Sequence, residues 1–224
     1  MNVTIIGGTG LVGSYLVKAA EAATAISTIN TISRRQIEGT KINSIVKATT
    51  AEWTPEIEKL SATNKVFFSA FGTTRADAGG IDNFKKIDID TNFAAAKAAK
   101  NGTIDTYVLV STVGANKGSI VPYLKLKGGL EDDVISLGFK RTIILRPGVL
   151  IGDRVKPKGL LNDLAVKVGV WTRDSWLFPL VKATHADEVA KVALHLALQP
   201  LKEGTESEVR IVEAQEIVEL AAKL

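Results

Sequence analysis

Residues 3–13 read VTIIGGTGLVG. Residues 3–6 form a short apolar run that ends in glycines, and 11–23 then has helical composition rich in alanine. A run of this kind predicts a parallel strand buried on both faces. Gly7, Gly10 and Gly13 sit in G-x-x-G-x-x-G spacing across the turn. Backbone N–H groups at such a turn can approach a pyrophosphate only where no side chain blocks the way. The helix N-terminus adds partial positive charge there. The order strand, glycine turn, helix is the context that gives the motif weight. Gly7, Thr9, Gly10, Leu11, Val12 and Gly13 are therefore candidate dinucleotide contacts, against the alternative of a glycine turn with no ligand.

The rest of the chain repeats the alternation. Strands are expected at 26–33, 45–48, 65–70, 106–111, 141–145 and 209–212. Helices are expected at 53–60, opened by Thr54 and Pro55, and at 81–100. Others follow at 123–137, interrupted by Gly128–Gly129, at 184–198 with Thr184 as N-cap, and at 214–224. Strands alternating with helices predict right-handed βαβ units and a parallel sheet covered on both faces. One domain over 1–224 is the simplest reading, with 150–183 as a lid or substrate insertion above the sheet.

Composition narrows the chemistry. The 224 residues hold no Cys, which excludes disulfides, a thiolate nucleophile and thiolate metal sites. His185 and His195, ten apart, do not make a metal site, and no nucleophile-elbow motif accompanies them. The net charge of +4 is spread along the chain and does not argue for nucleic acid. No run of 18 apolar residues predicts a membrane span, and a strand starting at Asn2 leaves no room for a leader. An intracellular, cytoplasmic protein is the expectation.

The second strand ends in Ser33-Arg34-Arg35, where an NAD site usually has an acidic residue. Two guanidiniums there suit a 2′-phosphate, which points to NADP(H). The fourth strand runs into Ala70-Phe71-Gly72-Thr73-Thr74-Arg75. In a doubly wound sheet that end lies over the cofactor, so Ala70, Phe71, Gly72, Thr73 and Arg75 join the candidates.

Tyr123 and Lys127 are four apart at a predicted helix start, hence on one face. A nearby ammonium favours a phenolate, so the tyrosine can exchange a proton with a carbonyl or alcohol. Lys127 could also hold the nicotinamide ribose. Ser111 and Thr112, at the preceding strand end, offer a hydroxyl to orient the substrate oxygen; a strand alternates faces, so one of the two points at the site.

With these blocks in place the chain resembles an atypical short-chain dehydrogenase/reductase. It is similar to the branch with the animal Tat-interacting protein and the related fungal mitochondria-associated proteins. The matching stretches are IIGGTGLVGS, FFSAFGTTRADAGG, YVLVSTVGA, PYLKLKGGLEDDV, ILRPGVLIGDR and HADEVAKVALHLAL. The resemblance implies a Rossmann-like doubly wound parallel sheet with helices on both faces, binding NADP(H), and a Ser/Thr–Tyr–Lys set. Tyr123 would be the general acid and Lys127 its partner, with Thr112 at the family's serine position and Ser111 its rival. Pro147 and Val149 match the segment that faces the nicotinamide amide.

The expected activity is NADPH-dependent reduction of a small carbonyl compound or aldehyde, or oxidation of the alcohol. The alternative is a cofactor-binding regulator with negligible turnover; a nucleotide-sugar epimerase is a third reading, disfavoured by Arg34-Arg35. The resemblance also implies peripheral contact with the mitochondrial outer membrane. Monomer and dimer stay open. Trp171, Trp176, Leu177 and Phe178 read as a hydrophobic cluster or substrate lid, and Lys156, Lys158, Lys167, Arg173 and Lys182 as a solvated basic face.

Overall fold

A computed structural model describes residues 1–152, 183–201, 204 and 206–224. Seven strands form one sheet: β1 (Asn2–Ile6), β2 (Thr28–Ser33), β3 (Ile42–Val46), β4 (Val66–Ser69), β5 (Thr106–Val110), β6 (Arg141–Arg146) and β9 (Glu208–Glu213). Their order is β3-β2-β1-β4-β5-β6-β9, and every pairing is parallel. A two-stranded parallel pair, β7 (Leu150–Ile151) with β8 (Thr184–His185), lies beyond β6. The Rossmann-like reading of the sequence is what the strands show.

Alternation along each strand sorts side chains between two cores. Val3 and Ile5 of β1, Val66 and Phe68 of β4 and Val108 of β5 face α1 (Leu11–Ala22) and α6 (Ala186–Leu198). Ile6, Phe67, Tyr107 and Leu109 face the opposite layer. That layer holds α2 (Trp53–Ser61), α4 (Thr91–Lys100) and α5 (Pro122–Ser136). Both layers press on the central strands, which is why Val66–Phe68 of β4 and Tyr107–Val110 of β5 are continuously apolar instead of alternating with polar residues. Phe67, Tyr107 and Phe139 stack in series at 5.2 and 4.9 Å, filling the second core with flat rings. Burial pushes the Tyr107 phenol well above its ordinary range.

Several element ends differ from the sequence reading for local reasons. The third strand starts three residues early, because its register is set by pairing Ile29 with Ile42. Helix α2 is entered through a 3-10 turn, Thr50–Glu52, where Glu52 accepts from the Thr49 N–H at 2.9 Å; Thr54 does not cap it. Thr184 lies in β8, and His185 is the N-cap of α6, its N–H bonded to Glu188 at 3.0 Å. Helix α5 runs unbroken through Gly128 and Gly129. A Cβ on Gly128 would sit 2.3 Å from the Asn116 backbone, so that glycine lets a loop cross the helix closely.

The long helix expected at 81–100 changes register instead. It comprises α3 (Ile81–Phe84), a π segment (Lys85–Asp90) and α4. Such π turns often mark functional sites. The aromatic cluster at 171–178 and the basic residues at 156–182 lie outside the described residues, as does most of the expected lid. α7 (Ala214–Ala221) closes the chain against β9.

Candidate functional site

The strand order reverses between β1 and β4, and the crevice at their carboxyl ends is where open α/β sheets bind ligands. Gly7 follows β1 with φ +80°, a left-handed conformation that favours glycine. A Cβ there would lie 2.3 Å from the Ala70 carbonyl carbon, just past β4. A Cβ on Gly13 would lie 2.0 Å from the Gly7 oxygen. These two glycines let turn, helix and neighbouring strand close on one another. Gly10 is the N-cap of α1; its N–H bonds to the Gly7 oxygen at 2.8 Å, and no acidic side chain stands in the helix's first turn. The first-turn N–H groups of Leu11, Val12 and Gly13 lack intrahelical acceptors by the geometry of any helix start. Thr9 is half-buried beside them. The cradle fits a diphosphate: it is glycine-lined, positive by dipole and unguarded by carboxylates.

At the end of β2, Ser33 is buried and its hydroxyl donates to the Arg35 carbonyl, which folds the turn back. Arg34 and Arg35 are exposed at the carboxyl edge of the sheet. Across the switch point, the chain after β4 is held by alternate residues. Ser69 donates to Asn92, the Asn92 amide donates to the Phe71 carbonyl at 3.1 Å, and the Thr73 N–H donates to Asp88 at 2.8 Å. The Phe71 ring meets Trp53 edge-on at 5.0 Å. Gly72 is exposed, and a Cβ on it would come within 2.9 Å of Asp88. Arg75 is exposed.

The tyrosine and lysine open α5 as expected. The half-buried Tyr123 ring packs 5.1 Å from Phe84. Lys127, four residues on, is 4% exposed, and its ammonium lies 3.1 Å from Asp88, which is 1% exposed. Deleting either partner of such a buried pair typically costs about 3–5 kcal/mol, since the other charge is stranded.

Ser111 and Thr112 part company. The Ser111 hydroxyl donates to Glu131 at 2.5 Å, and that carboxylate is gripped by the Arg146 fork at 2.5–3.2 Å. Arg146 also reaches Glu213 at 2.9 Å. The Glu131 carboxylate holds the Arg146 guanidinium still further above its usual range. Thr112 is half-buried at the carboxyl side of β5. Pro147 is buried, its carbonyl accepting the Val113 N–H at 2.9 Å; the Val149 carbonyl accepts from Thr184 at 2.9 Å. These two bonds pin the segment after β6 beside the strand end that carries Thr112.

Sequence reasoning missed Asp88, Asn92, Glu131 and Arg146. A signal for the first two existed: with Phe84, Ala95, Ala96 and Ala99 they occupy one buried helical stripe, where polar residues are out of place.

No family model matches the chain. It is 46% identical to "Protein FMP52, mitochondrial" of Debaryomyces hansenii, covering all of both chains. It is 47% identical to "Protein FMP52-1, mitochondrial" of Scheffersomyces stipitis, again over both full lengths. Among solved structures it resembles a UDP-glucuronic acid 4-epimerase from Bacillus cereus, determined with UDP-glucuronic acid and NAD. That match has a TM-score of 0.70 at 14% identity, over all of this chain and 82% of the other. It also resembles a short chain dehydrogenase family protein from Francisella tularensis, with a TM-score of 0.66 at 14% identity over 97% and 98%. The structural likeness shows a shared fold, and the sequence identity over full length shows that the chain belongs to the FMP52 family.

Proposed function

We propose that the chain is an NADP(H)-dependent oxidoreductase of the short-chain dehydrogenase/reductase type, acting on a small carbonyl compound or its alcohol. The observation that carries this is the glycine cradle opposite a Tyr123/Lys127 helix, on the two sides of one switch point. The nicotinamide would supply or accept a hydride. In the chain itself, the α1 N-terminus would hold the diphosphate, Arg34 and Arg35 a 2′-phosphate, and Lys127 the ribose next to the ring. Tyr123 would pass the proton to the substrate oxygen. Thr112 would orient that oxygen, because the Ser111 hydroxyl is committed to Glu131.

One observation favours the second reading, a nucleotide-binding regulator: Lys127 is already paired with Asp88. The test is NADPH consumption with a panel of aldehydes and ketones, using Tyr123→Phe as control. We expect turnover to fall by about 10²–10⁴ in the variant while NADPH still binds. Equal rates would remove the tyrosine's role, and tight binding without turnover would select the regulator. The relatives' names support a mitochondrial location. Among the described residues no helix is long and apolar enough to cross a membrane, so we propose peripheral attachment, checked by alkaline extraction of isolated mitochondria.

A further inference from the structure

Among the described residues, the large apolar side chains that reach solvent are mostly isolated in the sequence. Met1, Val46, Ile87 and Leu224 have no such neighbour, and Val209 and Ile211 alternate on the edge strand β9. The loop between β5 and α5 differs. It carries Ile120, 98% exposed, Val121, 46% exposed, and exposed Pro122 in succession. Hydrogen bonds hold this tip outward. The Asn116 side chain accepts the Gly118 N–H at 2.7 Å, and its carbonyl accepts the Ser119 N–H at 3.0 Å. The Ser119 hydroxyl accepts the Val121 N–H at 3.1 Å, and the Asn116 N–H closes the loop on the Leu124 carbonyl at 3.1 Å. A loop fastened this way cannot tuck Ile120 inward without giving up bonds. Water around a fixed isoleucine is unfavourable until something apolar covers it.

Cations are set back from the tip. Lys117 and Lys125 flank it and are exposed; Lys117 reaches Asp132 at 2.5 Å, while Lys125 has no ion pair among the described residues. Lys85 and Lys86 of the π segment are also exposed and without an ion pair among the described residues. The Phe84 ring, 5.1 Å from Tyr123, sets their turn beside the start of α5. Asp82 is an exposed acid on the same segment. A convex tip of three side chains offers a protein partner far less than the about 800 Å² per side of a stable interface. A bilayer needs no matching shape. Apolar side chains reach its acyl boundary while ammonium groups stay among the phosphates.

We propose that the loop 117–125 docks the protein on an anionic lipid bilayer, with Ile120 and Val121 inserted and Lys117, Lys125, Lys85 and Lys86 on the headgroups. This rests on the peripheral attachment proposed above and deepens it by naming the face. Tyr123 follows the tip directly in the chain, so docking there turns the mouth of the crevice toward the lipid.

The chain holds no Cys, so one environment-sensitive dye can be placed on the full chain through Ile120→Cys or, as a control at the far sheet edge, Val209→Cys. The vesicles are phosphatidylcholine alone, or phosphatidylcholine with about 30 mol% phosphatidylserine. On the anionic vesicles the dye at 120 should move to shorter wavelength and gain about twofold or more in intensity, and the dye at 209 should not change. In cosedimentation, Ile120→Glu should lose about tenfold or more in partitioning to the anionic vesicles. Lys125→Gln should lose about fivefold there and nothing on the neutral vesicles. Val209→Glu should match wild type. All these positions are exposed, so the variants should melt as wild type does. Equal partitioning of Ile120→Glu and wild type overturns the proposal. A dye shift at 120 in buffer alone that grows with protein concentration assigns the tip to a second copy of the chain and overturns it too. Wild type that sediments with neither vesicle sinks this face and attachment through lipid together. Wild type that sediments while the dye at 120 stays unchanged sinks only the face.

Discussion

On the β1–β2 side of the switch point, the site is made by what is missing. Gly7 and Gly13 carry no side chain, the first turn of α1 carries no carboxylate, and the contacts are backbone against backbone. On the β4–β6 side the site is made of polar and charged side chains in partnership: Asp88 with Lys127, Ser111 with Glu131, and Glu131 with Arg146 and then Glu213. The first half depends on backbone lying against backbone, the second on keeping charged partners together. A pocket for a diphosphate needs closeness, because dipoles act over short range. A pocket for proton transfer needs orientation, because a misplaced donor does not react.

This contrast predicts which glycines matter. Gly13→Ala would press a methyl to 2.0 Å of the Gly7 oxygen, against backbone that cannot swing away. We expect a loss of NADPH affinity of about a hundredfold, with destabilisation of about 1–3 kcal/mol for the forced shift. Gly10→Ala meets the same oxygen at a milder 3.1 Å and should cost only a few-fold. Calorimetric titration of both variants, alongside their melting curves, measures the difference. Equal losses at the two positions would mean that the turn's shape is not what binds the nucleotide.

The chemistry half predicts asymmetry between neighbours. Thr112→Val keeps volume and removes the hydroxyl; kcat should fall by about tenfold to a hundredfold with cofactor affinity unchanged. Ser111→Ala removes a donor from Glu131, which keeps the Arg146 fork, so kcat should stay within about threefold and stability should drop by about 1 kcal/mol. Steady-state rates on one substrate decide this. The reverse ranking would move the orienting hydroxyl to Ser111 and imply that Glu131 releases it.

The same contrast sets what could be read from the chain. The backbone half was legible in Gly7, Gly10 and Gly13 because its determinants are adjacent in sequence and belong to one residue type. The chemistry half was legible only where a helix turn brought its parts together, Tyr123 with Lys127. Asp88 lies 39 residues from Lys127, and Glu213 lies 67 from Arg146. Only the strand order makes them neighbours. The stripe that carries Asp88 is readable on a regular 3.6-residue helix over 81–100, but the change of register in the π segment is not. Choosing between Ser111 and Thr112 needed the position of Glu131, which strand alternation alone does not supply.

The smallest expected effect bears on the outer edge of the nucleotide half, where side chains return. Arg34 and Arg35 are exposed, so their attraction for a 2′-phosphate acts through solvent and is partly screened. Each should contribute about 1–2 kcal/mol, or about five- to thirtyfold in affinity, through charge-assisted bonds to the phosphate. Arg34→Ser and Arg35→Ser should each cut the preference for NADPH over NADH by about that factor and leave NADH affinity within about twofold. Because the preference is electrostatic and exposed, it should narrow as salt rises toward 1 M, where the screening length is about 3 Å, whereas Gly13→Ala should lose the same factor at any salt. Titrating both dinucleotides into wild type and variants over a salt series separates the two regimes. A preference that survives high salt unchanged would place phosphate recognition on buried donors instead, and the arginines would then be no more than solvated charges at a strand end.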